Sequence, residues 1–434
     1  MSLFPSSSEL SRHESDQPSA TPAEAGVHRT SVLLSEAFLD TSSRTRDSLP
    51  EQYRAHFDEL RSGILTFCKE FKIPIETLRS KEAFGAELTS KRIPPERMAE
   101  VVSLFARLEH LVTHKELLKI ESEALKEVEH LYNLTEQYDS QVSLLEQVGI
   151  LKDGAITGID GKEYPVPTLE QIAQCLFERR ETLHTKRDQG FTKLLLVPFG
   201  ISLDVLQEIL KQFLLSYKTD HPDFDLDIND PLWTWEEGYL GADTGNPPKI
   251  VYNPKSFDSN HQGQTKREIL EAQADNQDSS FPGWRIHLLQ PSNPSDQESK
   301  GFAPIPRQGQ GITNGEETPR PSLEAGKFPN DYLSILQKAQ DNPDSPYHGE
   351  SGMTPEDWIL AFITHLEETR KPLDDYGSDK ESITYLTGAF FPSIDGFAFV
   401  PFAYWNRDRR RADLYGYGPR RRVGTVGVRS TVII

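Results

Sequence analysis

After residue 50, apolar side chains recur every three or four positions, which is the spacing of a helix with one buried face. The first run carries six large residues: Tyr53, Phe57, Leu60, Ile64, Phe67 and Phe71. The spacing resumes after Pro94-Pro95, a favourable helix start, and continues to Gly149. This second run predicts one long helix or an α-hairpin broken near His114. The apolar face of this run fits packing within a local helix bundle. An oligomerising coiled coil through residues 94–149 is the alternative.

Residues 1 to about 50 lack this pattern and are rich in Ser, Thr, Pro and charged side chains. Such a composition buries too little apolar surface to offset the entropy lost on ordering. We therefore expect a disordered tail over residues 1–50 and a helical region over 51–150. A further domain is expected over 151–434.

The pattern changes after residue 150. Apolar and turn residues alternate over 156–167, which predicts a short hairpin, and Thr168 is a favourable helix cap. Further helices are predicted after Ser202 and Thr354, and strands are predicted at 193–197, 284–289, 383–391 and 397–402. Polar, Gly- and Pro-bearing stretches at 253–278 and 291–326 predict long loops. Mixed helices and strands of this kind predict an α+β fold.

Composition narrows the classes of function. The chain has 434 residues and a net charge of −20, which argues against general nucleic-acid binding because that function needs a basic surface. Cys68 and Cys175 lie in helix-like apolar patterns, which indicates inert core thiols. The sequence has neither the pattern of a signal peptide nor an apolar run long enough to cross a bilayer. A cytoplasmic protein without membrane or specific nucleic-acid partners is the expectation.

Motifs that would carry catalysis or bind a metal are missing from the sequence. It contains no HExxH, Gly-x-Ser-x-Gly, P-loop or Gly-x-Gly-x-x-Gly pattern. The acidic positions of 225–236 approach a calcium-loop spacing, but Asp230 stands where that loop needs glycine. A strand with a polar edge is the preferred interpretation there, and His365 is interpreted as a structural residue. We expect no catalytic residues, no metal and no cofactor.

The stretch from Pro401 to Ile434 has a different chemistry. It holds eight arginines against two aspartates, a net charge of +6 at the end of an acidic chain. Trp405 and Leu414 are spaced to face a core, with Tyr, Asn, Asp and Arg between them; Tyr and Arg are frequent energetic anchors of interfaces. Alternation along strands predicts that eight residues form one contiguous exposed patch: Tyr404, Asn406, Asp408, Arg411, Asp413, Tyr415, Tyr417 and Arg420.

The tail pattern Trp-x-Arg, Arg-x-Ala-x-Leu and closing Gly-Val-Arg-Ser resembles the end of the bacterial variable proteins of diversity-generating retroelements. Residues 352–358 (GMTPEDW) and 388–392 (GAFFP) resemble that family as well. The resemblance implies a C-type-lectin-like fold, shared with formylglycine-generating enzymes, over 151–434. It also implies a variable region at about 402–426, altered by error-prone reverse transcription at template adenines. The apolar end at 431–434 departs from the basic close usual in the family.

The resemblance implies two sets of tail residues. The implied variable, ligand-binding positions are Tyr404, Asn406, Asp408, Arg409, Arg411, Asp413, Tyr415, Gly416, Tyr417, Pro419, Arg420, Arg421, Val423 and Gly424. The implied scaffold positions are Trp405, Arg407, Arg410, Ala412, Leu414, Gly418, Arg422, Gly427, Val428, Arg429 and Ser430.

The function implied is that of a non-enzymatic display protein, with an unidentified protein as the expected ligand. An enzyme on the same fold is the first alternative, but formylglycine generation needs cysteines in the C-terminal half, and none follows Cys175. The second alternative is a structural or adaptor protein that forms homo-oligomers through the 94–149 helix.

Overall fold

The computed structural model describes residues 44–79, 81–91, 93–113, 125–275, 281–294, 296, 299–377 and 382–434. The chain divides into two compact units, Met1–Glu123 and Ala124–Ile434. The predicted boundary at residue 150 is therefore wrong, because it lies inside the second unit. Residues 1–43 of the predicted tail and the predicted break near His114 lie outside the described residues.

The described part of the first unit is helical. Its helices are Arg44–Asp47, Glu51–Glu70, Lys81–Ser90 and Pro95–Thr113, with a 3-10 turn at Ile75–Arg79. The predicted apolar stripe is the packing face of the second of these helices, with Phe57, Leu60, Ile64 and Phe67 buried. Leu49 is buried in the same core. The predicted tail is therefore too long at its C-terminal end, because residues 44–50 already belong to this packed unit.

The second unit begins with helical residues 125–132 and the helix Leu134–Gln147. The side chain of Gln141 donates to the Leu194 carbonyl (2.7 Å) and accepts from the Leu196 amide (2.8 Å). Gln137 makes the same kind of pair with Thr192 and Leu194. These two glutamines complete the hydrogen bonds along the edge of a strand. This packing is the reason that residues 134–147 belong to the second unit.

The other helices described in the second unit are Leu169–Glu178, Arg180–Asp188, Leu203–Asp220, Glu236–Tyr239, Lys266–Asp275, Pro329–Gln340 and Pro355–Thr369. The predicted hairpin is confirmed as β1 (Ala155–Thr157) paired with β2 (Glu163–Pro165). Thr168 forms the predicted cap, since its hydroxyl accepts from the Gln171 amide and the Gln171 side chain accepts in return. A second short pair joins β7 (Thr313–Asn314) to β8 (Arg320–Pro321).

A four-stranded antiparallel sheet contains the end of the chain. Its strands are β3 (Lys193–Val197), β6 (Arg285–Leu289), β9 (Glu350–Gly352) and β15 (Ser430–Ile433), in the order β3-β6-β15-β9. Every residue of β3 and β6 is buried. The apolar end of the chain is thus an interior strand of this sheet, which explains its composition.

A seven-stranded sheet carries the rest of the tail. Its strands are β4 (Leu232–Thr234), β5 (Val251–Tyr252), β10 (Ile383–Tyr385), β11 (Ala389–Ile394), β12 (Phe397–Asn406), β13 (Arg411–Tyr417) and β14 (Val426–Val428). The order is β14-β10-β12-β11-β5, and β13 pairs with β12 on one side and with β4 on the other. The antiparallel β12–β13 ladder runs from Val400↔Tyr417 to Asn406↔Arg411.

The helix Pro355–Thr369 is buried along most of its length and packs against β3, β12 and the helix Leu203–Asp220. Thr354 caps it in the predicted way, with reciprocal hydrogen bonds to Asp357. The mixed α+β class is therefore confirmed. No helix among the described residues is long and apolar enough to cross a membrane.

The predicted strand with a polar edge around residues 224–230 is wrong. This segment consists of turns, bends and irregular chain. The Asp227 carboxylate accepts from the Asn229 amide (3.0 Å), a local hydrogen bond that favours a turn over a strand. The Asp227 amide donates to the Arg410 carbonyl (2.9 Å), so the segment lies against the turn that follows β12.

Candidate functional site

The inward side of β12 and β13 is a closed core. Ala403, Trp405, Ala412 and Leu414 are each at most 3% exposed. The Trp405 ring lies 6.1 Å from Phe362 and 5.2 Å from Phe224, measured between ring centroids. Because side chains alternate along a strand, this buried row fixes the neighbouring positions on the opposite face.

The opposite side of the two strands carries a cluster of rings. We call Trp233, Phe402, Tyr404, Tyr415 and Tyr417 the aromatic face. Phe402 is central, with its centroid 4.3 Å from Tyr417, 5.5 Å from Tyr415 and 6.0 Å from Tyr404. Trp233 stacks on Tyr415 at 5.1 Å. Phe402 itself is only 3% exposed, Tyr404 and Tyr417 are half-buried, and Tyr415 is exposed. The tyrosines therefore pack around a buried ring, which restricts their rotamers.

A polar group borders the aromatic face. Asp413 accepts from Asn406 (2.8 Å) and from Arg411 Nε (2.8 Å), while Arg411 also pairs with Asp230. Burial, and secondly the Asp413 charge, raise the pKa of Tyr404 above its ordinary value. Asp413 itself is only 4% exposed. The prediction of an exposed Asp413 is therefore wrong, because its neighbours cover it and its carboxylate positions them.

Gly416, another implied variable position, is buried. It lies on the inward side of β13, where an added Cβ would be 2.8 Å from the Trp235 ring. Trp235 also packs on Phe399 at 4.7 Å. A larger side chain at 416 would have to displace this indole.

The turn after β12 and the loop after β13 hold the other predicted variable residues. Asp408 and Arg409 are exposed in the turn, and the Arg409 amide donates to Asn406 Oδ1 (3.1 Å). Arg421 lies 4.4 Å over the Tyr417 ring, which extends the aromatic face into the loop.

The remaining members of this loop differ in burial. Arg420 and Gly424 are exposed, and Pro419 is half-buried. Val423 packs partly buried against the apolar cluster that includes Val426 and Phe402. The loop therefore mixes exposed side chains with one that helps to anchor it.

The predicted scaffold residues fall into two groups. Arg407, Arg410 and Arg422 are exposed, although Arg407 pairs with Asp375 and Arg422 Nε donates to the Gly326 carbonyl (2.5 Å). Gly418 is half-buried with open space beside it. These positions shape the turns and loops.

The second group is the closing stretch Gly427–Ser430, which is buried. An added Cβ at Gly427 would be 2.4 Å from Ile305. Val428 packs in the same cluster as Val426. Arg429 binds Asp374 (2.6 Å), whose other oxygen accepts from the Trp358 indole (2.9 Å). Burial raises the pKa of Asp374 in spite of Arg429.

Sequence reasoning missed Trp233, Asp230 and Tyr376 as members of this surface. Trp233 reaches it because β4 runs parallel to β13, with Trp233 opposite Asp413. The Tyr376 ring lies 5.7 Å from Tyr404. The only local signal was the alternation of Trp233 with Trp235, which indicates a strand but does not identify its partner.

Two histidines are enclosed elsewhere. His287 lies 3.1 Å from both the Thr431 hydroxyl and the Asp357 carboxylate, and all three residues are buried. His365 accepts from the Phe302 amide (2.9 Å), and burial lowers its pKa to about 3. These contacts give both imidazoles a structural role, with His287 buried and His365 half-buried. Among the described residues, no group of three potential ligands is placed to hold a metal ion.

Comparison of the chain with protein-family models, with curated proteins and with solved structures finds no match in any of the three. The case for function therefore depends on the geometry of the tail and on the resemblance of its sequence pattern.

Proposed function

We propose that this protein is a non-enzymatic binding protein whose aromatic face and adjoining turns recognise a protein ligand. The observation that carries the proposal is the division of β12 and β13 into two sides. One side is closed core. On the other side, Tyr, Trp and Arg side chains surround the buried ring of Phe402. Such side chains supply most of the energy in protein interfaces.

The geometry favours binding at a small entropic cost. Tyr404 and Tyr417 each stack on Phe402. Asp413 holds Asn406 and Arg411 in place. Side chains that are already ordered lose less freedom when a ligand binds. The ladder of β12 and β13 supplies a fixed backbone beneath them.

We further propose that the second unit is a C-type-lectin-like domain and that a retroelement diversifies its tail. The solvent-exposed positions Asp408, Arg409, Tyr415 and Arg420 fit this idea, because exposed residues change at little cost in stability. Asp413 and Gly416 fit it less well, since both are enclosed. The DNA test is a near-repeat of the coding region for residues 402–426, mismatched mainly at adenines and located beside a reverse-transcriptase gene.

The protein test uses a cognate partner identified by crosslinking and then purified. Replacing Tyr415, Arg420 and Arg421 together with serine should weaken binding by about a hundredfold or more, because each interface anchor contributes about 2 kcal/mol or more. Circular dichroism should show an unchanged fold. Full-strength binding by this folded variant would contradict the proposal.

A matched control replaces one aromatic residue and two arginines at other places on the protein. Phe397, Arg180 and Arg267 are exposed residues outside the aromatic face. Their combined replacement with serine should leave the affinity unchanged. An equal loss in both triple variants would mean that binding follows overall charge and apolarity rather than this surface.

The adaptor alternative gains no support from the packing of residues 134–147. Leu134, Gln141, Leu144 and Leu145 are buried within the second unit. Their side chains are therefore not available as the seam of a coiled coil. Homo-oligomerisation through the 94–149 region stays a prediction. Light scattering of the full chain would test it by measuring the molar mass in solution.

A further inference from the structure

A second surface feature lies beside the closing strand and away from the inward core of β12. It is a cavity of about 260 Å³ whose walls include Arg320, Arg429, Gln290, Asn314 and Ser292. None of the described residues that line it is acidic, in a chain whose net charge is −20. Half of the lining residues are apolar, and the two arginines belong to the polar half.

Behind Arg320, the buried charged side chains do not sum to zero. Glu350 accepts two hydrogen bonds from Arg320 (2.8 Å each) and one from Lys186 (2.7 Å). Lys186 also donates to Gln189 (2.8 Å) and to the Pro346 carbonyl (2.8 Å). Three acceptors match the three donors of a charged ammonium group. One carboxylate therefore faces two cations, which leaves one positive charge in excess.

This excess charge is enclosed. The side chains of Lys186, Arg320 and Glu350 are 5%, 3% and 0% exposed. Burial, and with it the nearby Arg320 charge, lower the pKa of Lys186 against the attraction of Glu350. Burial would raise the pKa of Glu350, but Arg320 and Lys186 hold it below its ordinary value. An unbalanced buried charge is costly unless another group compensates it.

Arg429 adds a donor without a partner. Its two terminal nitrogens bind Asp374 and the Ala303 carbonyl, but its buried Nε has no hydrogen-bond partner in the structure. Buried donors in native proteins are nearly always satisfied. Arg320 and Arg429 line the same cavity from different segments of the chain.

We propose that this cavity binds a small anion, of the carboxylate or phosphate class, between Arg320 and Arg429. An anion would compensate the excess charge of the Lys186–Glu350–Arg320 cluster. Planar guanidinium groups suit both oxyanions, because their N–H groups match the spacing of two oxygens. The volume limits the ligand to a small organic acid or phosphate, since sites for larger ligands are typically bigger. This inference is independent of the aromatic face.

The test titrates the full chain with orthophosphate and, separately, with succinate by isothermal calorimetry, against sodium chloride at matched ionic strength. At least one oxyanion should bind saturably, and the tighter of the two identifies the class. Arg320→Gln removes the excess charge and should raise the Kd at least about tenfold, the factor that one charge-assisted hydrogen bond supplies.

A second variant tests the site even if Arg320→Gln fails to fold. Ala303→Leu fills the cavity without removing a charge, because Ala303 is a half-buried residue of its wall. It should abolish saturable binding while the circular dichroism spectrum stays unchanged. Arg421→Gln removes an exposed arginine outside the cavity and should bind like the parent chain.

Three results would overturn the proposal. The first is the absence of saturable binding of either anion up to about 10 mM, a concentration at which even weak specific sites fill. The second is binding that survives unchanged in a folded Ala303→Leu variant, which would place the anion elsewhere. Loss of binding in Arg421→Gln as strong as in Arg320→Gln would also count against this site, because it would indicate attraction to the basic tail in general.

Discussion

Replacement of Trp405 with alanine tests the division between scaffold and display most directly. The indole is 3% exposed and lies between Phe362 and Phe224. Truncating a buried tryptophan costs the transfer free energy of the ring and leaves a cavity, together about 3–5 kcal/mol. A loss of that size is a large fraction of the stability of a typical domain.

Tyr415→Ala is the matched comparison on the other side of the sheet. Tyr415 is 36% exposed, and its ring stacks on Trp233. Truncation removes part of an aromatic pair that contributes about 1 kcal/mol. We therefore expect Trp405→Ala to lower the free energy of unfolding at least about twice as much as Tyr415→Ala.

Urea unfolding followed by tryptophan fluorescence is a suitable assay. All five tryptophans of the chain lie between residues 233 and 405, so the signal reports on the second unit alone. An equal decrease in the free energy of unfolding in the two variants would refute the reasoning, because both side chains would then act as core residues. A larger loss for Tyr415→Ala would reverse the assignment of the two faces.

Two further predictions concern single positions. His365 has a pKa held at about 3 by burial, so only the unfolded chain binds its proton between pH 6.5 and 3. The stability that the neutral His365 contributes is therefore complete above pH 6.5 and is lost as the pH falls. The free energy of unfolding should fall by about 2 kcal/mol between pH 7 and 5 for this reason. His365→Gln should remove that part of the pH dependence in urea unfolding, and an unchanged slope would exclude His365 as its source. Gly416→Ala should lower the free energy of unfolding by about 1–3 kcal/mol because the new Cβ meets Trp235. Gly418→Ala, which has open space beside it, should melt like the parent. Equal melting temperatures of the two variants would contradict the inward position of residue 416.

Local patterns in the sequence determined much of the architecture. The cap at Thr354 and the apolar stripe of the helix Glu51–Glu70 are confirmed, because capping and amphipathic spacing act over a few residues. The two faces of β12 and β13 follow from the two-residue period of a strand. That period also placed Trp405 and Leu414 inside, as the structure has them.

The same period would have placed Gly416 inside, since it is two residues beyond Leu414. The resemblance assigned it to the variable set instead, and the structure returns it to the core. Asp413 is a different case. Alternation puts it on the outer face, but Asn406 and Arg411 cover it. No local pattern reports how much of an outward-facing side chain its neighbours bury.

Only the tertiary structure decided which distant segments meet. Trp233 joins the aromatic face because β4 pairs with β13 across a long separation in sequence. The helix Leu134–Gln147 belongs to the second unit because Gln137 and Gln141 bond to the edge of β3. Lys186, Arg320 and Glu350 form one cluster although they belong to three separate segments. Backbone propensity and side-chain period are local properties, whereas strand pairing and buried charge depend on contacts between segments, and these contacts produced both the aromatic face and the anion cavity.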